Sequence, residues 1–269
     1  MNPGRLLGCS LLLALAACTA PLHPLSTEAR LRSLPQADAL LLGEQHDAPE
    51  HQRIHEHVVQ ALARQGRLAA LALEMAEQGV STVGLAANAT EAQVQEALKW
   101  DGKAWPWAAY GPAVMAAVSA RVTVLGANLP RRDLRGSMGN AALDALLPAA
   151  ALQTQRERIR SGHCNMLPDS QIAPMTRMQI ARDQAMAQTM TRAAQPGKTV
   201  VLLSGAGHAD RLLGVPQHLP KSIKANSVLL LAGAGVSATD FAANFDQTWP
   251  TAAVPERDYC AEFKATRAP

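Results

Sequence analysis

The chain has 269 residues, a formal charge of +3, 48% apolar residues and only 3% aromatics. That length suffices for one sizeable core, or a core with a helical cap. No basic stripe with interleaved aromatics is present, which argues against nucleic acid as a partner.

The N-terminus carries the first strong signal. Arg5 supplies a positive region, and Leu6 to Ala16 supply an apolar run too short to span a bilayer. The run ends in Leu15-Ala16-Ala17-Cys18, which resembles a bacterial lipobox and implies cleavage before Cys18 and lipidation of that residue. The rival reading is a plain signal peptide with an incidental cysteine. Loss of a leader at residues 1–17 removes Arg5, and the charge falls from +3 to about +2. Thr19 stands where lipoproteins kept at the inner membrane typically carry aspartate. The expected location is therefore the outer membrane of a Gram-negative source, with the protein facing the periplasm. Once the leader with Cys9 is gone and Cys18 carries lipid, Cys164 and Cys260 remain. Two thiols in an oxidising compartment are expected to form a disulfide. The alternatives are two buried free thiols, or Cys164 as a ligand beside His163.

Residues 18–35 read as a lipidated tether followed by a short helix, and 36–269 as a single α/β domain. Ala39 to Leu42 form an apolar run that ends in Gly43-Glu44-Gln45-His46-Asp47, the pattern of a strand buried on both faces. Asp47 is the predicted N-cap of the next helix and Pro49 its first residue. That helix carries Ile54, Val58, Ala61 and Leu62 at helical spacing, and Gly66 closes it. Leu68 to Leu73 predict a second strand that ends in Glu74-Met75. Thr90-Glu91 start a helix. Trp105-Pro106-Trp107 turn into another helix, Trp107 to Ser119, where Tyr110, Val114, Ala117 and Val118 share a face. Arg121 to Leu125 give a third strand. Asn140 to Met190 read as helix interrupted at 161–168, with Asp183 and Met186 assigned structural roles. Lys198 to Leu203 run into Gly205-Ala206-Gly207-His208. Val228 to Leu231 add a strand, and Phe245 to Thr251 an edge. Strands alternating with helices predict a mainly parallel central sheet flanked by helices, with residues of about 77–195 forming a helical lid subdomain over the carboxyl ends of the strands.

Two of these strands end in Gly-x-x-His and a third in glutamate. Glu44, His46, Glu74 and His208 therefore converge on one cleft if the strands are neighbours, because open α/β sheets place ligands at carboxyl strand ends. Such a set suits a divalent zinc, manganese, cobalt or iron ion. It also suits acid–base work without metal; with a metal bound, whichever of Glu44 and Glu74 is not a ligand is the expected general base. His51 lies nearest the strand end on its helix, while His55 and His57 are expected at the surface. His163 either reaches into the cleft or is held near a disulfide. Tyr110 is either a phenolate ligand or a core residue with a satisfied hydroxyl. Gly205-Ala206-Gly207 lacks the third glycine of a dinucleotide fingerprint.

Taken in order, Gly43-Glu44-Gln45-His46-Asp47, Leu73-Glu74-Met75, Gly162-His163-Cys164 with Leu167-Pro168, and Gly205-Ala206-Gly207-His208 with Gly214-Val215-Pro216 resemble the ChaN-type haem-binding lipoproteins. Those belong to a superfamily that includes TIKI metalloproteases and erythromycin-esterase-like proteins. The resemblance spans nearly the whole mature chain and implies a lipid-anchored protein of haem or iron uptake. It implies haem held between two subunits by a tyrosine with histidine nearby, and contact with uptake machinery. Some relatives carry tyrosine just before Gly-Val-Pro, where this chain has Leu212-Leu213. His46, His51, Tyr110, His163 and His208 are the candidate haem contacts. The TIKI resemblance rests on His46, His208 and Glu74 and implies a metal-dependent hydrolase, a peptidase or esterase, as the second reading.

Overall fold

A computed structural model of the chain describes residues 26–233 and 241–265. The leader, Cys18 and the tether up to residue 25 lie outside the described residues.

The first strand, β1 (Ala39–Glu44), is buried at every position, as its unbroken aliphatic run requires. The others are β2 (Leu68–Glu77), β3 (Val124–Asn128), β4 (Thr199–Gly205), β5 (Ala225–Ala232) and β6 (Gln247–Thr251). They form one sheet of order β3-β2-β4-β1-β5-β6, with every neighbouring pair parallel. The predicted α/β class with a mainly parallel sheet is therefore the observed one. In register, Glu44 faces Gly205 across the β1–β4 pair, which sets the two Gly-x-x-His turns side by side. Pro250 sits in the edge strand β6, where a missing backbone donor is tolerated.

Helices cover both faces. On one, α2 (Pro49–Arg64) and α4 (Trp107–Ser119) pack Ile54, Val58 and Val114 against Leu42, Leu73 and Leu203. On the other, Met186, Ala187 and Met190 of the long helix Asp169–Ala193 meet Leu41, Ala72 and Leu202. Besides α2 and α4, the described residues before that long one form α1 (Thr27–Ser33), α3 (Glu91–Ala97), α5 (Arg131–Gly139) and α6 (Ala149–Gly162). The long helix is thus α7. Within residues 77–195, α4 and the second half of α7 are layers of the sandwich. The first half of α7 packs with the neighbouring helices around Leu143, Leu147 and Ile180. At 25 residues α7 is about 37 Å long, against about 20 Å for β1. It therefore runs past the strand ends.

A short helix α8 (Ala206–Ala209) follows β4, and α9 (Tyr259–Ala265) lies near the C-terminus. The expected disulfide is present: Cys164 and Cys260 are bonded with Cα atoms 5.6 Å apart, tying the α6–α7 turn to α9. One local expectation fails. Pro49 opens α2, but the cap position is Ala48 and carries no side-chain cap bond. Asp47 accepts instead from Gln45 Nε2 at 2.9 Å and from the Tyr259 hydroxyl at 2.7 Å. The tertiary contact with α9 competes successfully with the local cap.

Candidate functional site

Glu44 ends β1 with its carboxylate buried. Its Oε1 accepts from the Tyr110 hydroxyl at 2.7 Å and lies 2.8 Å from His46 Nδ1, while Oε2 accepts from Gln52 Nε2 at 3.1 Å. Glu74, in β2, accepts the Gly205 backbone N–H at 2.7 Å. Its Oε1 lies 3.3 Å from His208 Nε2 and 3.4 Å from Arg182 Nη2. His208 Nδ1 in turn meets Asp183 Oδ1 at 2.5 Å. His46 Nε2 faces Glu74 at 3.8 Å, and a Cβ added to Gly205 would fall 2.8 Å from that nitrogen. Glycine at this position is what lets the ring lie across the strand end. The result is an unbroken line: Tyr110, Glu44, His46, Glu74, His208, Asp183.

Burial by itself would push both glutamates up. For Glu74 the charges of His208, His46 and Arg182 outweigh it and hold the carboxyl well below its ordinary range. For Glu44 the outweighing groups are His55, His46 and the Tyr110 hydroxyl, and its pKa is likewise lowered. Burial opposes a proton charge on His208, but the Glu74 and Asp183 carboxylates prevail and raise it to about 10. Burial lifts Asp183 to about 6 against the pull of His208. His46 is raised by Glu44 and Glu74 despite its own desolvation. Burial first, then the Glu44 charge, drives the Tyr110 phenol far above its ordinary range. At neutral pH, His208 is therefore an imidazolium between two carboxylates, and Tyr110 keeps its proton.

The predicted set Glu44, His46, Glu74, His208 and Tyr110 is brought together here. His51 is fully buried behind it, with Nδ1 accepting from the Gln45 N–H at 3.0 Å and Nε2 at 3.0 Å from Thr251 Oγ1. His163 is half-buried on the α6–α7 turn beside the disulfide, Nδ1 2.7 Å from the Ile159 carbonyl. His55, expected at the surface, is buried, and Nδ1 lies 3.7 Å from Glu44 Oε2. The helix face that the sequence showed as polar turns inward at this point, towards Glu44 of β1, with α2 packed along Tyr110's helix. Asp183 likewise exceeds the structural role assigned to it, since it is the carboxylate that orients His208. Its signal was the spacing of Gln179, Arg182 and Asp183, polar residues on a helix stretch whose neighbours Ile180 and Met186 are core. Gln179 Nε2 also approaches His208 Nδ1, at 3.1 Å.

Among the described residues no group of three or more His, Cys, Asp or Glu side chains is arranged to hold a metal ion. The four residues expected as ligands are instead in contact with one another. Beside Glu74 opens a cleft of about 470 Å³, lined by Met75, Lys99, Trp105, Arg131, Met178 and Arg182 among others. Trp105 sets its ring edge-on to His46 at 4.9 Å and to Tyr110 at 5.9 Å. Trp100 and Trp107 meet edge to face at 5.0 Å behind this wall, with Trp100 also 6.1 Å from Tyr110, so that of the three tryptophans around Tyr110 it is Trp105 that lines the cleft.

Removing the Tyr110 hydroxyl tests the line at one end. Tyr110→Phe leaves the Glu44 carboxylate short of one buried donor, a charged hydrogen bond of about 1.5–3 kcal/mol. Urea unfolding at pH 7 should show a loss of that size; an unchanged midpoint would mean Glu44 does not depend on the phenol.

Residues 30–219, more than half of the chain, match the family described as haem-binding uptake, Tiki superfamily, ChaN. ChaN of Campylobacter jejuni, in a structure of cofacial heme binding, is 25% identical with a TM-score of 0.63, over 78% of this chain and 88% of that one. The type III effector HopBA1 is 14% identical over 77% of this chain and 82% of its own, with a TM-score of 0.40. No curated protein matches. The strand-end motifs, the parallel sheet that aligns them and the match over residues 30–219 together place this chain in the ChaN family of haem-binding uptake proteins.

Proposed function

We propose that this protein binds haem in the strand-end cleft and takes part in haem or iron uptake from a lipid anchor at the outer membrane. The observation that carries the reading is the make-up of the cleft. Trp105, Met75 and Met178 offer an apolar, aromatic surface, and Lys99, Arg131 and Arg182 stand at the same opening. A flat ring with carboxylates at one edge matches that division. At about 470 Å³ the cleft has the size of ordinary small-molecule sites, about 300–1,000 Å³. Haem supplies iron chemistry when bound; the chain's own residues shape the cleft and neutralise the ligand's carboxylates.

The cofacial hemes of Campylobacter jejuni ChaN support a site shared by two copies of the chain. The disulfide supports an oxidising compartment. Together with the lipobox-like Leu15–Cys18 stretch it favours a periplasm-facing lipoprotein lipidated at Cys18. A second reading, hydrolysis, is favoured by one observation: the alternation of carboxylates and imidazoles from Glu44 to Asp183, suited to proton transfer. Its metal-dependent form finds no ligand group among the described residues.

Hemin titration of the chain from residue 19, which holds every described residue, tests the first reading. A saturable Soret shift at micromolar hemin is expected. Trp105→Ala should weaken binding by roughly 2–10-fold, the usual worth of one aromatic contact. Absence of any saturable change would remove the haem reading and leave hydrolysis in front.

A further inference from the structure

At the end of the sheet opposite the cleft, the chain enters strand after strand past a cation. Arg67 precedes β2, Arg121 lies three residues before β3, Lys198 precedes β4, and Lys221 and Lys224 precede β5. The strands are all parallel, so these entries gather at one end although they are scattered along the sequence. Leu68 pairs with Thr199, and Ala39 with both Val200 and Ala225, which sets Arg67, Lys198 and Lys224 level with one another. Helices α2 and α7 run back towards the same end and finish there on Arg64 and Arg192. Arg32 of α1 shares a shallow recess with Arg67 and the strand-entry residues Thr199 and Asn226. All of these side chains are exposed except Arg67, which is half-buried. Two carboxylates stand among them, and both are used. Glu28 pairs with Arg64 at 2.7 Å, and Asp38 accepts the Lys224 backbone N–H at 2.9 Å. Arg67 and Arg192 reach only the neutral oxygens of Gln65 and Thr189, each at 3.3 Å. Eight cations less two carboxylates leave this end at about +6, whereas the chain after the leader carries about +2. The rest of the molecule therefore sums to about −4, and the charge is strongly one-sided.

A second observation says what covers this face. Helix α1 packs on α2, and Ser26, where the described chain begins, shares a recess with His57, Gln60 and Arg64 of the later turns of α2. The tether thus joins the domain beside its basic end. Residues 19–25 separate Ser26 from Cys18, a reach of at most about 25 Å even when fully extended. A lipid on Cys18 would hold the basic end close to a bilayer, where cations within about one Debye length, about 8 Å, feel the charge of anionic headgroups. We propose that the amino end of the sheet rests on an anionic phospholipid bilayer through Arg32, Arg67, Arg121, Arg192, Lys198, Lys221 and Lys224. The cleft, at the far end of strands about 20 Å long, then opens away from the membrane. The proposal rests on the lipid-anchor part of the functional reading and deepens it, because it fixes which face of the domain the membrane meets.

The deciding experiment sediments the unlipidated chain from residue 19 with vesicles of phosphatidylcholine containing about 30 mol% phosphatidylglycerol, and with vesicles of phosphatidylcholine alone. Binding to the anionic vesicles only is expected, with release at about 0.5 M NaCl. Each Lys or Arg near such a surface strengthens attraction about fivefold. Lys198→Glu combined with Lys221→Glu and Lys224→Glu should therefore weaken binding by about a hundredfold or more, with hemin titration and urea midpoint unchanged. Arg132→Glu with Arg135→Glu, exposed cations of α5 at the other end, should leave vesicle binding as it is. Equal binding to both vesicle types, or equal losses in the two sets of variants, would overturn the inference. So would failure to bind the anionic vesicles, which would leave an acidic protein as the partner this end fits. The mass of the full-length chain extracted from membranes reads the Cys18 lipid separately. A lipidated chain whose soluble form ignores the vesicles would overturn the inference and leave the anchor standing. Charge-dependent vesicle binding by a chain that carries no lipid would remove the anchor and leave the basic face standing.

Discussion

His208→Ala is expected to remove about 3–5 kcal/mol of folding stability, the usual cost of deleting one partner of a buried ion pair. The imidazolium bridges the buried carboxylates of Glu74 and Asp183, both at most 4% exposed. Without it the two carboxylates lose their shared partner, with Arg182 at 3.4 Å left as the nearest cation for Glu74. The pH dependence carries the same signature. His208, raised from 6.5 to about 10, contributes its stability in full below pH 6.5 and loses it as pH rises through 10. Glu74 is lowered from 4.5, so its contribution is present above 4.5 and lost as pH falls. Asp183, raised from 3.8 to about 6, contributes below 3.8 and no longer does so above 6. Stability should therefore decline between pH 7 and 10 in the native protein, and His208→Ala should flatten that decline. Urea unfolding at several pH values measures both. An alkaline decline that persists unchanged in the variant would show that His208 is not the charged bridge.

Reduction of Cys164–Cys260 is expected to produce the second large loss. The bond closes a loop of 96 residues, for which the chain-entropy account gives about 4–5 kcal/mol. The segment it anchors also meets the α6–α7 turn through the edge-on rings of Phe263 and His163, 5.9 Å apart. The α9 helix has no buried residue, and its ties to the β1 turn are exposed: Tyr259 and Arg257 on Asp47, at 2.7 and 3.3 Å. Such surface contacts contribute roughly 0–1 kcal/mol each. Cys164→Ser with Cys260→Ser should accordingly lower the urea midpoint and open residues 252–258 to limited proteolysis, while the sheet unfolds later. Equal midpoints with and without reductant would mean that the bridge constrains the unfolded chain far less than its length implies.

The sheet was legible because its signal is local and repeated. Ala39 to Leu42, Leu68 to Leu73 and Lys198 to Leu203 have no polar face, and only a doubly covered parallel sheet accepts such strands. The boundaries moved by a few residues: β2 runs on through Glu74 to Glu77, and the third strand starts at Val124 rather than Arg121. Asp47 shows the limit of local rules, since its cap function gave way to Tyr259, a partner 212 residues distant.

At the site, residue types were readable and contacts were not. Glu44, His46, Glu74 and His208 could be picked out because glycine followed by polar groups at a strand's end is conspicuous in an apolar sequence. That they touch depends on β4 lying between β1 and β2, an order that hydrophobic runs leave open. Asp183, Gln52 and the buried His55 were missed for the same reason. A polar residue on a helix looks solvated until the sheet brings a carboxylate to it. The sequence by itself determined the layers, the turns that carry the chemistry and the pair of cysteines. Only the tertiary structure decided strand order, and with it that the expected ligands would neutralise one another, because pairing between buried charges depends on distances of a few ångströms that no spacing along the chain encodes.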